Sequence, residues 1–189
     1  GFNNSTGQYN TYLGLSSGYN SGYNTTSDPN YNTFIGYMTG ANNQTGEKNT
    51  YIGFQAGFSS ASLGTGSNNV ALGIQTGYSN LSGYSNIFIG NLSGYTNSDG
   101  HDNVFLGDHA GYTNSVGNYN IFIGTEAGKI SNANYNTYIG YMAGTLTNSG
   151  GFNAMVGYNA GYANTTGVNN CYFGYYAGGA SSGTHNTYI

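Results

Sequence analysis

Charge is almost missing from this chain. Its 189 residues include two Lys or Arg and six Asp or Glu, 4% of the total, where an ordinary domain carries about 25%. With so few basic groups and a net charge of −4, the chain cannot hold a nucleic-acid backbone by counterion release. Tryptophan is absent and proline occurs once. The single cysteine, Cys171, excludes an internal disulfide framework. No apolar run reaches the roughly 18 residues that a membrane-spanning helix needs. Disorder goes with few aromatics and high net charge, whereas aromatics here make up 16%. Glycine lacks the every-third-residue period of collagen.

What the chain does have is glycine, asparagine and tyrosine: 34 Gly, 30 Asn and 21 Tyr. They are arranged in repeats. An Asn followed four residues later by Gly recurs at Asn10, Asn32, Asn49, Asn69, Asn86, Asn103, Asn120, Asn136, Asn153 and Asn170, and begins again at Asn186. The spacing runs from 16 to 22 residues and is most often 17. Counting each Asn as position zero, positions four and eight are Gly in all ten complete repeats, as in Asn32-Gly36-Gly40, Asn86-Gly90-Gly94 and Asn120-Gly124-Gly128. Position seven is always Ala, Ser or Thr, and a further Gly stands three residues before nine of the eleven Asn.

Position one is mostly Thr, Val or Ile, position two mostly aromatic and position three mostly aliphatic, and glycine follows. Such a run reads as a short strand. Glycines at four and eight would each cost about 1 kcal/mol in a helix interior. In an antiparallel meander, equivalent residues of neighbouring repeats would face different surroundings. In a parallel solenoid each residue lies over its counterpart, about 4.8 Å away, and columns of identical residues are what that arrangement requires. The expected fold is therefore all-β: a parallel β-solenoid, or β-roll, of about ten coils with a repeat of 16–22 residues. Asn ladders are expected to share hydrogen bonds up the stack, and the glycines to supply positive backbone dihedrals at corners. The extra residues of the two long repeats follow position eight, so insertions sit on one corner.

Each strand is apolar on both faces, because positions one and three point one way and position two the other. A narrow lumen filled by the β-branched residues would turn the column Phe34, Tyr51, Phe88, Phe105, Phe122 and Tyr138 outward as an assembly face. The reverse placement leaves a surplus of aliphatic residues outside. Either way an apolar stripe remains, and a stripe of that kind marks an interaction surface. The partner expected is the chain itself, as a trimer or polymer. Residues 1–189 read as a single repeat array that opens inside a loop and stops mid-strand, an excerpt of a longer array or a subunit stacking end to end.

The segment Asn32-Thr-Phe-Ile-Gly-Tyr-Met-Thr-Gly40 and its echo Asn136–Gly144 resemble the head repeats of YadA-like trimeric autotransporter adhesins. They also resemble Asn-Thr-x-x-Gly-x-x-Ala-Gly arrays of bacterial and phage surface fibres. The resemblance implies a left-handed parallel β-roll, trimeric in the adhesins, on an extracellular surface. The period here is longer and aromatics are denser.

No catalytic, cofactor or metal site is expected, because titratable groups that could converge are few. His101, Asp102, Asp108 and His109 share one repeat but lack any known ligand spacing. His109 and Glu126, both at position six, would stack as a pH-sensitive pair. Seven Asn-x-Ser/Thr sequons begin at Asn3, Asn4, Asn24, Asn43, Asn80, Asn91 and Asn164. Three functions fit this array, in descending order. The first is a structural subunit of an extracellular filament or surface fibre, the second an adhesin head that binds glycan or matrix. The third is an ice-binding solenoid, which would need a regular Thr face, yet position one is Thr in only five of eleven repeats.

Overall fold

A computed structural model of the chain describes residues 4, 7–23, 25, 29–60 and 64–189. Eleven strands form one sheet in chain order, every neighbouring pair parallel. They are β1 (Thr11–Leu13), β2 (Thr33–Ile35), β3 (Thr50–Ile52), β4 (Val70–Leu72), β5 (Ile87–Ile89), β6 (Val104–Leu106), β7 (Ile121–Ile123), β8 (Thr137–Ile139), β9 (Ala154–Val156), β10 (Cys171–Phe173) and β11 (Thr187–Tyr188). Each repeat contributes one rung, and like lies over like: Val104 over Ile121, Phe105 over Phe122, Leu106 over Ile123. The parallel β-solenoid expected from the repeats is the fold.

Strands occupy only three residues per coil, but the hydrogen bonds between coils continue beyond them. The position-four amide of each coil donates to the preceding coil, as Gly107 N–H does to Ile89 O at 2.8 Å. The position-six amide does the same (His109 to Asn91, 2.9 Å), whereas position eight donates to the following coil (Gly94 to Ala110, 3.0 Å). The far wall of the lumen is therefore a stack of turns, bonded coil to coil as the sheet is.

The six aromatics expected on an outer assembly face, Phe34, Tyr51, Phe88, Phe105, Phe122 and Tyr138, lie inside the lumen. Each is at most 4% exposed. The outward placement is thus corrected, and the glycine at position eight supplies the reason. Its φ is +59° in Gly94, and a Cβ built there would stand 2.8 Å from the Phe88 ring of the same coil. The missing side chain makes room for a ring lying across the lumen, and the small residue at position seven, such as Ala110 or Ala127, fills the space beside it. Stacked rings run from Phe88 through Phe105 and Phe122 to Tyr138, with centroids 4.8–5.2 Å apart. Position four is a different case. Gly107 has φ +137°, and a Cβ there would come within 2.6 Å of the Gly124 carbonyl in the next coil. Here glycine permits close stacking of backbone on backbone.

Candidate assembly face and asparagine seam

With the rings inside, the residues at positions one and three face outward. Leu13 (63% exposed), Ile87, Leu106, Ile121, Ile139 and Phe173 form an apolar, mostly aliphatic sheet surface. Aromatic ladders border it. On one side Tyr119, Tyr135 and Phe152 stack at 4.9–5.0 Å, and on the other Tyr141, Tyr158 and Tyr175 stack at 5.1–5.2 Å. A third ladder, Phe58–Tyr78–Tyr95–Tyr112, climbs the column at position nine. Ala154 and Cys171 are the small residues of the sheet face. They leave a shallow depression between Tyr135, Phe152 and Asn169.

The expected Asn ladder is present, but most of its bonds join side chain to backbone. Asn103, fully buried, donates from Nδ2 to Gly117 O at 2.8 Å, and its Oδ1 accepts the Asn120 N–H at 3.0 Å. Each Asn therefore clamps the segment that leads into the Asn of the next coil. The Oδ1 half of the clamp is unbroken through ten links, Asn10 to Asn186, at 2.8–3.0 Å. Asn32, Asn86 and Asn120, singled out from the repeat, are links in this seam and are completely buried.

Two features went unread in the sequence. The first is a pair of left-handed columns: the residue before each Asn and the residue at position six have φ of +48° to +62°. Tyr119, Tyr135 and Phe152 belong to the first column and Leu92, His109 and Met142 to the second. Such a conformation costs an ordinary L-residue roughly 1–2 kcal/mol. The signal was available, because neither column contains a single Val, Ile, Thr or Pro.

The second is a buried polar column at position eleven, including Asn43, Asn80, Asn97, Asn114, Ser131, Thr147 and Asn164. Its residue type follows the lumen residue of the same coil. Where the lumen holds Tyr, position eleven is short: Tyr12 and Ser21 bond at 3.0 Å, Tyr172 and Ser181 at 3.4 Å, and Tyr138 shares its coil with Thr147. Where the lumen holds Phe88, Ala71 or Phe34, position eleven is Asn, whose amide caps a carbonyl three residues on, as Asn97 does to Gly100 O at 2.9 Å. The phenol and the carboxamide compete for one space. Phe122 opposite Ser131 departs from the pattern, and there the Tyr138 phenol of the next coil lies within reach of both Ser131 and Thr147, while the Asn114 amide has no hydrogen-bond partner among the described residues. Burial pushes the phenols of Tyr51 and Tyr138 well above the ordinary tyrosine value.

The charged residues form separate local pairs. His101 Nδ1 meets Asp102 at 2.9 Å, and His109 Nδ1 meets Asp108 at 3.0 Å. The Asn91 amide donates to Asp108 at 2.8 Å and, together with His109, holds its carboxyl below the ordinary range. Glu126 pairs with Lys129 Nζ at 2.9 Å, so each member of the expected His109–Glu126 pair is bonded to another residue. Among the described residues no three His, Cys, Asp or Glu side chains come together as a metal site. Of the sequons, Asn43, Asn80 and Asn164 are buried, so a glycan cannot be carried there without opening the coil. Asn91 is exposed and Asn4 half-buried, while Asn3 and Asn24 lie outside the described residues.

Compared with known proteins, the chain matches no family model, no curated protein and no solved structure. Among the described residues no helix is long and apolar enough to cross a membrane.

Proposed function

We propose that the chain is a structural element of an extracellular filament or surface fibre, a rod that associates with copies of itself through the outer face of its sheet. The outward column of aliphatic residues carries this reading. Leu106 and Ile121, on adjacent rungs, are 41% and 40% exposed. They belong to a continuous apolar strip bordered by rings and nearly free of charge. Soluble monomers rarely present such a strip unless something covers it, and a second rod with the same 17-residue rhythm matches it rung for rung. The extracellular setting rests on the resemblance of the repeats to those of surface adhesins and fibres.

Binding of glycan or matrix by the exposed tyrosines is the second reading. Sugar rings dock on the open faces of aromatic rings, but in these ladders each inner ring has both faces against its neighbours, as Tyr158 has Tyr141 and Tyr175. Only the terminal rings of a ladder keep a free face. The ladder geometry therefore favours the fibre over the adhesin head, and the irregular position-one column keeps ice binding last.

Electron microscopy of the purified protein across a concentration series tests the proposal. Long rods associating side by side are expected. A combined Leu106→Lys, Ile121→Lys and Ile139→Lys variant, with its circular dichroism unchanged, is expected to stay dispersed. Discrete wild-type particles at every concentration, or a lysine variant that bundles like wild type, would overturn it.

A further inference from the structure

Outside the lumen the stacked rings are chiefly tyrosines. Six Tyr–Tyr pairs on successive coils stack with centroids 5.0–5.2 Å apart and planes within 14° of parallel. The ladder Tyr141–Tyr158–Tyr175 is also open to solvent, at 43%, 46% and 79% exposure. The lumen is different apart from its last rungs, where Tyr172 stacks on Tyr188 with centroids 5.2 Å apart. Its buried Tyr51 faces Phe34 and Ala71 on the neighbouring rungs, and its buried Tyr138 faces Phe122 and Met155. Neither has a phenol beside it.

We propose that the outer ladders are sites of oxidative cross-linking, in which adjacent tyrosines of one chain couple to dityrosine and fasten coil to coil. Each phenol gives up one electron and its hydroxyl proton, and the resulting phenoxyl radical carries spin on the ring carbons ortho to oxygen. Two such radicals on neighbouring rungs join through one ortho carbon each. The hydrogens on those two carbons then move to the oxygens, restoring two phenols joined by a carbon–carbon bond. The net loss is two hydrogen atoms. Hydrogen peroxide acting through a haem peroxidase is the oxidant, one peroxide being reduced to two waters per link. The solenoid contributes proximity: the two rings are held at contact distance before either is oxidised, so coupling is effectively unimolecular. One ring must turn from the stacked arrangement to bring the ortho carbons together, and the exposure of this ladder leaves room for that turn. Both rings belong to one chain, so the proposal does not depend on fibre formation.

The test uses dilute, monodisperse protein treated with a haem peroxidase and hydrogen peroxide, digested with thermolysin and read by mass spectrometry. Peptides joined with loss of two hydrogens are expected between Tyr158 and Tyr141 or Tyr175, and between Tyr119 and Tyr135, at a rate independent of protein concentration. Tyr158→Phe keeps a stacking ring, as Phe54 does beside Tyr37 in the same column. That variant is expected to lose every link in its ladder while the Tyr119–Tyr135 link keeps its yield. Absence of dityrosine would overturn the proposal. So would links that form only between chains, at a rate rising with concentration, or links as frequent at Tyr162, which stacks on no described ring, as in the ladders.

Discussion

Asn103→Ala isolates the clamp that joins one coil to the next. The substitution leaves the Asn120 N–H without its acceptor at 3.0 Å and the Gly117 carbonyl without its donor at 2.8 Å. Asn103 is completely buried, so water does not replace the lost partners. An orphaned buried polar group costs about 1–3 kcal/mol, and two of them give about 2–6 kcal/mol. Urea unfolding followed by circular dichroism should show this as a lower midpoint with the slope maintained. Hydrogen exchange should show the Asn120 amide losing protection before its neighbours do. Asn103→Asp separates the two bonds: Oδ1 still accepts from Asn120, but a carboxylate now faces the Gly117 carbonyl and its charge is buried. That variant should be weaker than Asn103→Ala at neutral pH and recover in acid, where the protonated carboxyl donates to Gly117. Thr137→Val, on the outer sheet face where other rungs carry Val, serves as control and should stay within about 0.5 kcal/mol. An Asn103→Ala protein within about 1 kcal/mol of wild type, with the Asn120 amide still protected, would refute the clamp.

Phe122→Tyr should be neutral or stabilising by up to about 1 kcal/mol, because its hydroxyl would reach Ser131 as Tyr12 reaches Ser21. Phe105→Tyr, opposite Asn114, should instead destabilise, and thermal melts of the two variants decide between these outcomes. Stability should also fall in alkali. The folded-state phenols of Tyr51 and Tyr138 titrate above the ordinary value because burial disfavours the phenolate. The unfolded chain therefore releases those protons first. Their contribution is fully present below about pH 10 and is lost as the pH rises from there toward the folded values. A Tyr51→Phe, Tyr138→Phe chain should lose less stability over that range, and an unchanged alkaline profile would count against the burial argument.

Much of this architecture was written in the repeat. Asn, Gly and Gly at fixed offsets require every coil to face its neighbours in the same way, and only parallel stacking in register does that. The rung at positions one to three, the Asn ladder and the positive dihedrals at Gly94 and Gly107 could all be anticipated on that ground. Which face of the rung turns inward could not, because Val104 and Leu106 are as apolar as Phe105 between them. The tertiary structure settles it, since Gly111 lies directly beneath the Phe105 ring and no Cβ separates them. The same limit hid the exchange between the Tyr138 phenol and a position-eleven carboxamide, nine residues apart in sequence and meeting only across the lumen. Periodicity determines what stacks upon what along the rod; what meets across its interior depends on the width of the lumen, a distance that no repeat spacing contains.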